Sequence, residues 1–264
     1  MRKYQQLFSM FITRYLTYRA RVFIWLFTDS AQYILFPFLW MAIFAQTAPP
    51  GGYTVQSLVT YYIIMAAVST GFISHCSRHV RTDIDNGTLG RQLTVPLPHF
   101  NRILMAEFSY KCISGSIFIT ALVLLSIFAR DYLVIPQTGW HWLAFFTSII
   151  FTFTISHLLE YLIGMATFWI GDVKSLNTIE EIVNVIFSGR LAPLIFLPVA
   201  LQGAAEILPF KFIAFVPAQI FLGQITLAQV PRVLGIGLAW TVSLGLILAI
   251  LWRRGIKGYD GFGM

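Results

Sequence analysis

The sequence predicts an all-α integral membrane protein with six transmembrane helices and both termini in the cytoplasm. Three observations predict it. Apolar residues come in runs of about twenty, the length that crosses a hydrocarbon core of about 30 Å. Charged residues make up only 11 % of the chain, against about 25 % in an ordinary soluble domain. With the N-terminus placed inside, fourteen of the eighteen Lys and Arg residues fall in inner segments, as the positive-inside rule requires.

A hydrophobic fraction of 57 % exceeds what a water-soluble fold could hide, because much of any domain's surface must face water. The apolar runs are nearly continuous, so no soluble catalytic domain is expected. The net charge of +7 is spread between apolar runs. That pattern points to the anionic inner face of a membrane rather than to nucleic acid. Cys76 and Cys112 fall near the inner side, where a structural disulfide is not expected. The first residues do not resemble a cleaved signal peptide. Arg14, Arg19 and Arg21 break their apolar stretch, and no small-residue cleavage site follows.

The elements read in order as one domain, 1–264. Residues 3–20 predict an amphipathic helix with an apolar stripe of Leu7, Met10, Phe11, Tyr15 and Tyr18. It either lies in the interface plane or extends the first span into the cytoplasm. Span one, 22–45, carries Asp29 and Pro37 and ends at Pro49, Pro50, Gly51 and Gly52. Span two is 56–76, and a charged inner loop follows. Span three, 104–128, is closed by Arg130, Asp131 and Pro136. Span four, 143–170, is longer than a bilayer needs, so its ends project or tilt. After a polar link, span five, 182–201, is interrupted at Gly189, Arg190 and Pro193. Residues 202–222 carry charges, Pro209 and Pro217. They fit either a re-entrant segment dipping in from the outer face, tolerable only where protein or a cavity covers it, or an outer loop on the headgroups. Span six, 230–252, leads into a basic inner tail.

Few residues suggest chemistry. His75 and His79 are four apart and could share a helix face, but no acidic ligand falls within that spacing, so interfacial polar residues explain them as well. His157 and Glu160 are three apart inside span four. An ionisable group inside a span is a functional candidate by default: a proton relay, a cavity lining, or a structural hydrogen bond. Asp29 and Arg190 have the same status. No nucleophile elbow, zinc-binding His-Glu-x-x-His or phosphate loop is present. The chain itself is therefore not expected to be an enzyme, to bind a metal or cofactor, or to hydrolyse ATP. The inner segment 77–103 reads as a short amphipathic helix, a glycine turn and a proline-fixed return to span three.

Four stretches resemble one family. LTYRARVFIWLF carries the step Tyr18-Arg19-Ala20 from an interfacial helix into span one. DIDNGTLGRQLTVPLPHF sets an acidic residue and Gly87 ahead of Leu93 and Pro96. SGRLAPLIFLP followed by ILPFKFIAFVPAQI is similar to that family's span five and outer re-entrant pair. LWRRGIKGYDGFGM closes on Gly255, a basic residue, Tyr259 and a terminal glycine. The chain resembles the permease subunits of type-2 ABC exporters, in a small six-span bacterial branch. The resemblance covers nearly the whole chain. It implies a homodimer, or a heterodimer with a sister permease, in the bacterial inner membrane, with two cytosolic ATP-binding subunits holding ATP and Mg. It further implies inner contacts with those subunits from 83–96 and 172–181, including Asp83, Asp85, Gly87, Leu93, Pro96, Asp172 and Glu180. Asp29, His157, Glu160 and Arg190 are candidate groups along a cargo path, on burial grounds rather than from a family motif. Nothing chooses among drug, peptide, lipid and glycan cargo. A proton-coupled carrier using His157 and Glu160, a membrane scaffold and an intramembrane enzyme are the alternatives.

Overall fold

The computed structural model describes residues 2–44, 46–47, 49–128, 133–136, 138–170 and 174–259. The side chains of a few residues within helices, Asp29 among them, lie outside the description, as does Asp172.

The described residues form helices and no strands: α1 Arg2–Thr17, α2 Arg19–Ile43, α3 Val55–Phe72, α4 Ser77–Asp85, α5 Thr88–Leu93, α6 His99–Phe128, α7 Gly139–Met165, α8 Lys174–Phe187, α9 Val199–Ile207, α10 Phe215–Phe221 and α11 Val230–Lys257. Among the described residues, three stretches are long and apolar enough to cross a membrane: Val55–Asp85, Gly139–Phe168 and Val230–Lys257. The apolar part of the first is α3. α2 and α6 are long as well, at 25 and 30 residues.

α7 is the hub, packing on α3, α4, α10 and α11, while α3 also packs on α2 and α6. Two cores result. The larger joins α3, α7 and the α9–α10 region around Tyr61, Tyr62, Met65, Ile155, Phe212 and Ile220. The smaller joins α4, α5, α6 and α7 around Val80, Leu89, Ile103 and Tyr161.

α1 rests on α6. Asn101 Nδ2 donates to Tyr4 Oη at 2.9 Å, and ring pairs Phe8–Phe108 and Tyr15–Tyr110 lie 6.1 and 5.4 Å apart. The packed stripe is thus Phe8, Phe11 and Tyr15, with the exposed Tyr4 held by its hydrogen bond. Met10 and Tyr18, expected in that stripe, are exposed. The aromatic residues of α6 select which part of a broad apolar face is buried, and helix periodicity alone cannot.

α3 starts on a capping box: Thr54 Oγ1 accepts from the Ser57 N–H, and Ser57 Oγ from the Thr54 N–H. The expected fifth span is not one continuous helix. α8 ends at Phe187, and a single 3₁₀ turn (Leu194–Phe196) separates it from α9. Trp40, Phe44 and Tyr53 pack their rings on Phe196 and hold that turn. The second half of 202–222 is core: Phe212, Ile213, Ala214, Ala218 and Ile220 are buried against α3 and α7. Protein therefore covers this interrupted backbone.

Candidate functional site: the α3–α4 break and the inner elbow

α3 stops at Phe72 because Ile73 takes an extended backbone, φ −73° and ψ 126°, and α4 begins at Ser77. A helix broken in this way frees backbone groups that need protein partners away from water. α6 and α7 supply them. Lys111 Nζ donates to the Thr70 carbonyl at 3.2 Å. On the other side of the break, the N–H groups of Ser74, His75 and Ser77 donate to Ser156 Oγ, Glu107 Oε2 and Glu160 Oε2 at 3.1, 3.3 and 3.0 Å. A cation therefore faces the negative end of α3, and two carboxylates face the positive end of α4, the arrangement the helix dipole favours. Glu107, Lys111 and Glu160 are all buried. His157 Nδ1 meets Ser74 Oγ at 3.0 Å, and His79 Nδ1 lies 3.6 Å from Glu107 Oε1. Glu180, on α8, accepts from Asn184 Nδ2 at 2.9 Å and lies close to Glu160.

Below the break, α4 presses onto α7 at Gly164. A Cβ there would fall 2.6 Å from Val80 Cβ and 2.8 Å from the Ser77 carbonyl oxygen, so only glycine permits this contact. α4 then ends at Gly87, whose left-handed backbone (φ 69°, ψ 2°) turns the chain into α5. The resulting elbow is pinned by one carboxylate. Thr88 Oγ1 and Gln92 Nε2 donate to Asp83 Oδ1 at 3.1 and 2.6 Å. Arg102 Nη2 and His99 Nε2 donate to Asp83 Oδ2 at 2.6 and 3.1 Å. Arg102 also bonds Gln92 Oε1. With its proton on Nε2, the His99 ring accepts from the Tyr161 hydroxyl at 2.7 Å, and it stacks on Trp252 at 5.4 Å. Asp83 thereby ties the elbow to α6 directly, and to α7 and α11 through His99. The elbow leaves outside Asp85, 4.0 Å from Arg81, and the run 93–96, in which Leu93, Val95 and Pro96 are exposed.

A second buried polar group sits where α8 ends. Arg190 Nη2 donates to Glu181 Oε1 at 2.9 Å. The Arg190 side chain is 5 % exposed and that of Glu181 49 %. Tyr61 and Tyr62 hydroxyls donate to the Gly189 and Leu191 carbonyls at 2.6 and 2.8 Å, fixing the backbone on both sides of Arg190. Tyr33 and Ser69 approach the same place. Among the described residues, Ser188 Oγ and Asn184 Oδ1 on the same stretch make no hydrogen bond.

A model of the family described as ABC-2 family transporter protein matches residues 31–263. The chain belongs to the ABC-2 transporter family. No curated protein and no solved structure matches it. In this ABC-2 membrane protein the matched stretch takes in the α3–α4 break, the elbow and the whole of α11.

The residues singled out from sequence fall in different places. Asp83, Asp85, Gly87, Leu93 and Pro96 come together in the elbow, but Asp83 faces inward as its anchor. Glu180 turns to Glu160, and both belong with His157 to the surroundings of the break. Arg190 stands apart at the end of α8. Asp29 and Asp172 lie outside the described residues. Sequence reading missed Glu107 and Lys111, which cap the break, and His99, Arg102 and Tyr161, which complete the elbow. One signal was available: Glu107 and Lys111 stand four apart inside an apolar helix, where ionisable residues mark a built site. Among the described residues no group of His, Cys, Asp and Glu could hold a metal ion.

Proposed function

We propose that this ABC-2 family membrane protein is the permease subunit of an ATP-driven exporter in a bacterial inner membrane. It would cross the membrane six times and pair with an identical or sister permease above two cytosolic ATP-binding subunits, which carry ATP and Mg. The elbow is the observation that supports this reading. A carboxylate tied to four partners makes α4 and α5 move with α6, α7 and α11, while Leu93–Pro96 stays exposed. A partner pushing on that surface displaces three long helices as one body. Closure of the ATP-binding pair on nucleotide then biases a two-state rocking of the permeases. The cargo is amphipathic, a drug, peptide, lipid or glycan, and Arg190 with its neighbouring polar groups is the first candidate to meet it. Glu160, His157 and Asp29 are further candidates.

Crosslinking in native membranes, followed by mild-detergent purification and subunit counting, tests the reading. The expected result is two ATP-binding subunits per two permeases, with nucleotide-dependent transport. A chain that moves cargo alone after reconstitution overturns it in favour of a proton-coupled carrier. A complex without nucleotide-dependent transport overturns it in favour of a scaffold.

A further inference from the structure

The last turn of α11 lies directly on the end of α7. A Cβ at Gly255 would overlap the Phe168 ring, so glycine permits this contact with the 3₁₀ turn Ala166–Phe168 that follows α7. The chain then turns at Gly258, whose N–H bonds the Gly255 and Ile256 carbonyls. This close approach delivers the next side chain, Tyr259, to the elbow. Its ring meets Phe168 edge-on, with centroids 5.9 Å apart. Its hydroxyl donates to the Ile84 carbonyl, in the last turn of α4, at 3.5 Å, and lies near the Gly90 N–H of α5. Tyr259 packs, partly buried, on the inner core that holds Val80, Ile84 and Leu89. Phe168 also meets Trp252 at 6.0 Å, the residue that stacks on His99.

α4 and α5 are nine and six residues long. Helices this short do not hold themselves and depend on tertiary contacts. The N-cap of α5 is Gly87, which has no side chain to cap the first turn. The elbow's shape is therefore set by contacts from outside it. Asp83 gathers the polar ones, and Tyr259 supplies an aromatic one that reaches both short helices and the end of α7. We propose that Tyr259 is a positioning residue for the elbow, a latch by which the segment after α11 holds α4 and α5 at the angle at which they meet the ATP-binding partner. This inference rests on the function proposed above for the elbow. Without the Tyr259 ring the elbow keeps its Asp83 tie but loses its seat on the end of α7. Part of the partner's push then bends the elbow instead of moving α7 and α11.

Hydrogen exchange of the full chain in nanodiscs reads the latch without any partner, because exchange follows local opening. Tyr259→Ala is expected to speed exchange of the amides in 77–93 about tenfold and to leave α3 unchanged. Tyr259→Phe keeps the ring and is expected to stay within about threefold of wild type, the loss of one weak hydrogen bond. In the assembled complex, Tyr259→Ala is expected to keep ATP hydrolysis and to cut transport per ATP about threefold, and Tyr259→Phe to restore it. Unchanged exchange in 77–93, or exchange that rises equally in α3, overturns the latch. So does faster exchange with normal transport per ATP. Should Tyr259→Ala fail to fold, Tyr259→Leu, which keeps bulk without the ring, is read in its place. If the wild-type complex shows no nucleotide-dependent transport, the exporter reading falls, and the exchange result still decides whether Tyr259 latches the elbow.

Discussion

The elbow and the bend at Arg190 both place charge inside a largely apolar protein, and they do so in opposite ways. Asp83 spends its acceptor capacity on Thr88, Gln92, His99 and Arg102. Among the described residues Arg190 has one carboxylate partner, which is half in solvent, and Ser188 Oγ beside it makes no hydrogen bond. Closed networks rigidify, and open ones hold unspent hydrogen-bonding capacity. In the proposed function the elbow would transmit force without deforming, and the bend would accept a polar group of the cargo.

The largest effect is expected at the closed network. Asp83→Ala leaves Arg102 and His99 without their carboxylate and costs about 3 kcal/mol, read as a lower midpoint of thermal unfolding in detergent. Adding Arg102→Met recovers part of the loss; no recovery means that Asp83 acts alone. Gly164→Ala comes next, at about 2 kcal/mol, because its Cβ would meet Val80 and the Ser77 carbonyl. Limited proteolysis between α4 and α6 is expected to accelerate, and unchanged cleavage would show that α4 does not need this seat.

Glu160 separates structure from charge. Glu160→Leu strips the Ser77 N–H of its acceptor and costs about 1–3 kcal/mol. Glu160→Gln keeps an acceptor oxygen and is expected to stay within about 1 kcal/mol of wild type, the difference between a charged and a neutral acceptor. If the Gln variant also transports normally, the carboxylate serves the helix break and not the cargo. Arg190→Met is expected to change stability by less than about 1 kcal/mol, because an apolar replacement of similar length removes a desolvated charge and leaves Glu181 free to hydrate. Transport is expected to fall all the same, and a stable, fully active variant would erase the contrast between the two regions. Smallest in stability is Asp85→Arg, within about 0.5 kcal/mol on an exposed site. Its effect is expected instead in the coupling of ATP hydrolysis to transport.

Much of this was legible in local sequence. Gly87 announces a left-handed turn, and the structure places one there. Pro193 and Gly189 interrupt a fifth span that is not one continuous helix. The run from Val230 carries its own membrane-crossing length. The parts that could not be read are those whose meaning lies in a distant partner. Glu107 meets the His75 N–H across 32 residues, and Glu160 meets the Ser77 N–H across 83. His157 and Glu160 stood out as isolated ionisable groups in a span, and no local pattern shows that they also meet a helix break on a neighbouring element, through Ser74 and Ser77.

The sequence by itself determined an all-helical membrane protein, because hydropathy over twenty residues, helix periodicity and glycine turns are properties of nearby residues, and four short stretches carried its likeness to the family. Only the tertiary structure decided which carboxylate anchors the elbow, which ones cap the break and which face of α1 is buried. Those outcomes depend on what α6, α7 and α11 bring within hydrogen-bonding reach, about 3 Å, and no local pattern encodes that distance.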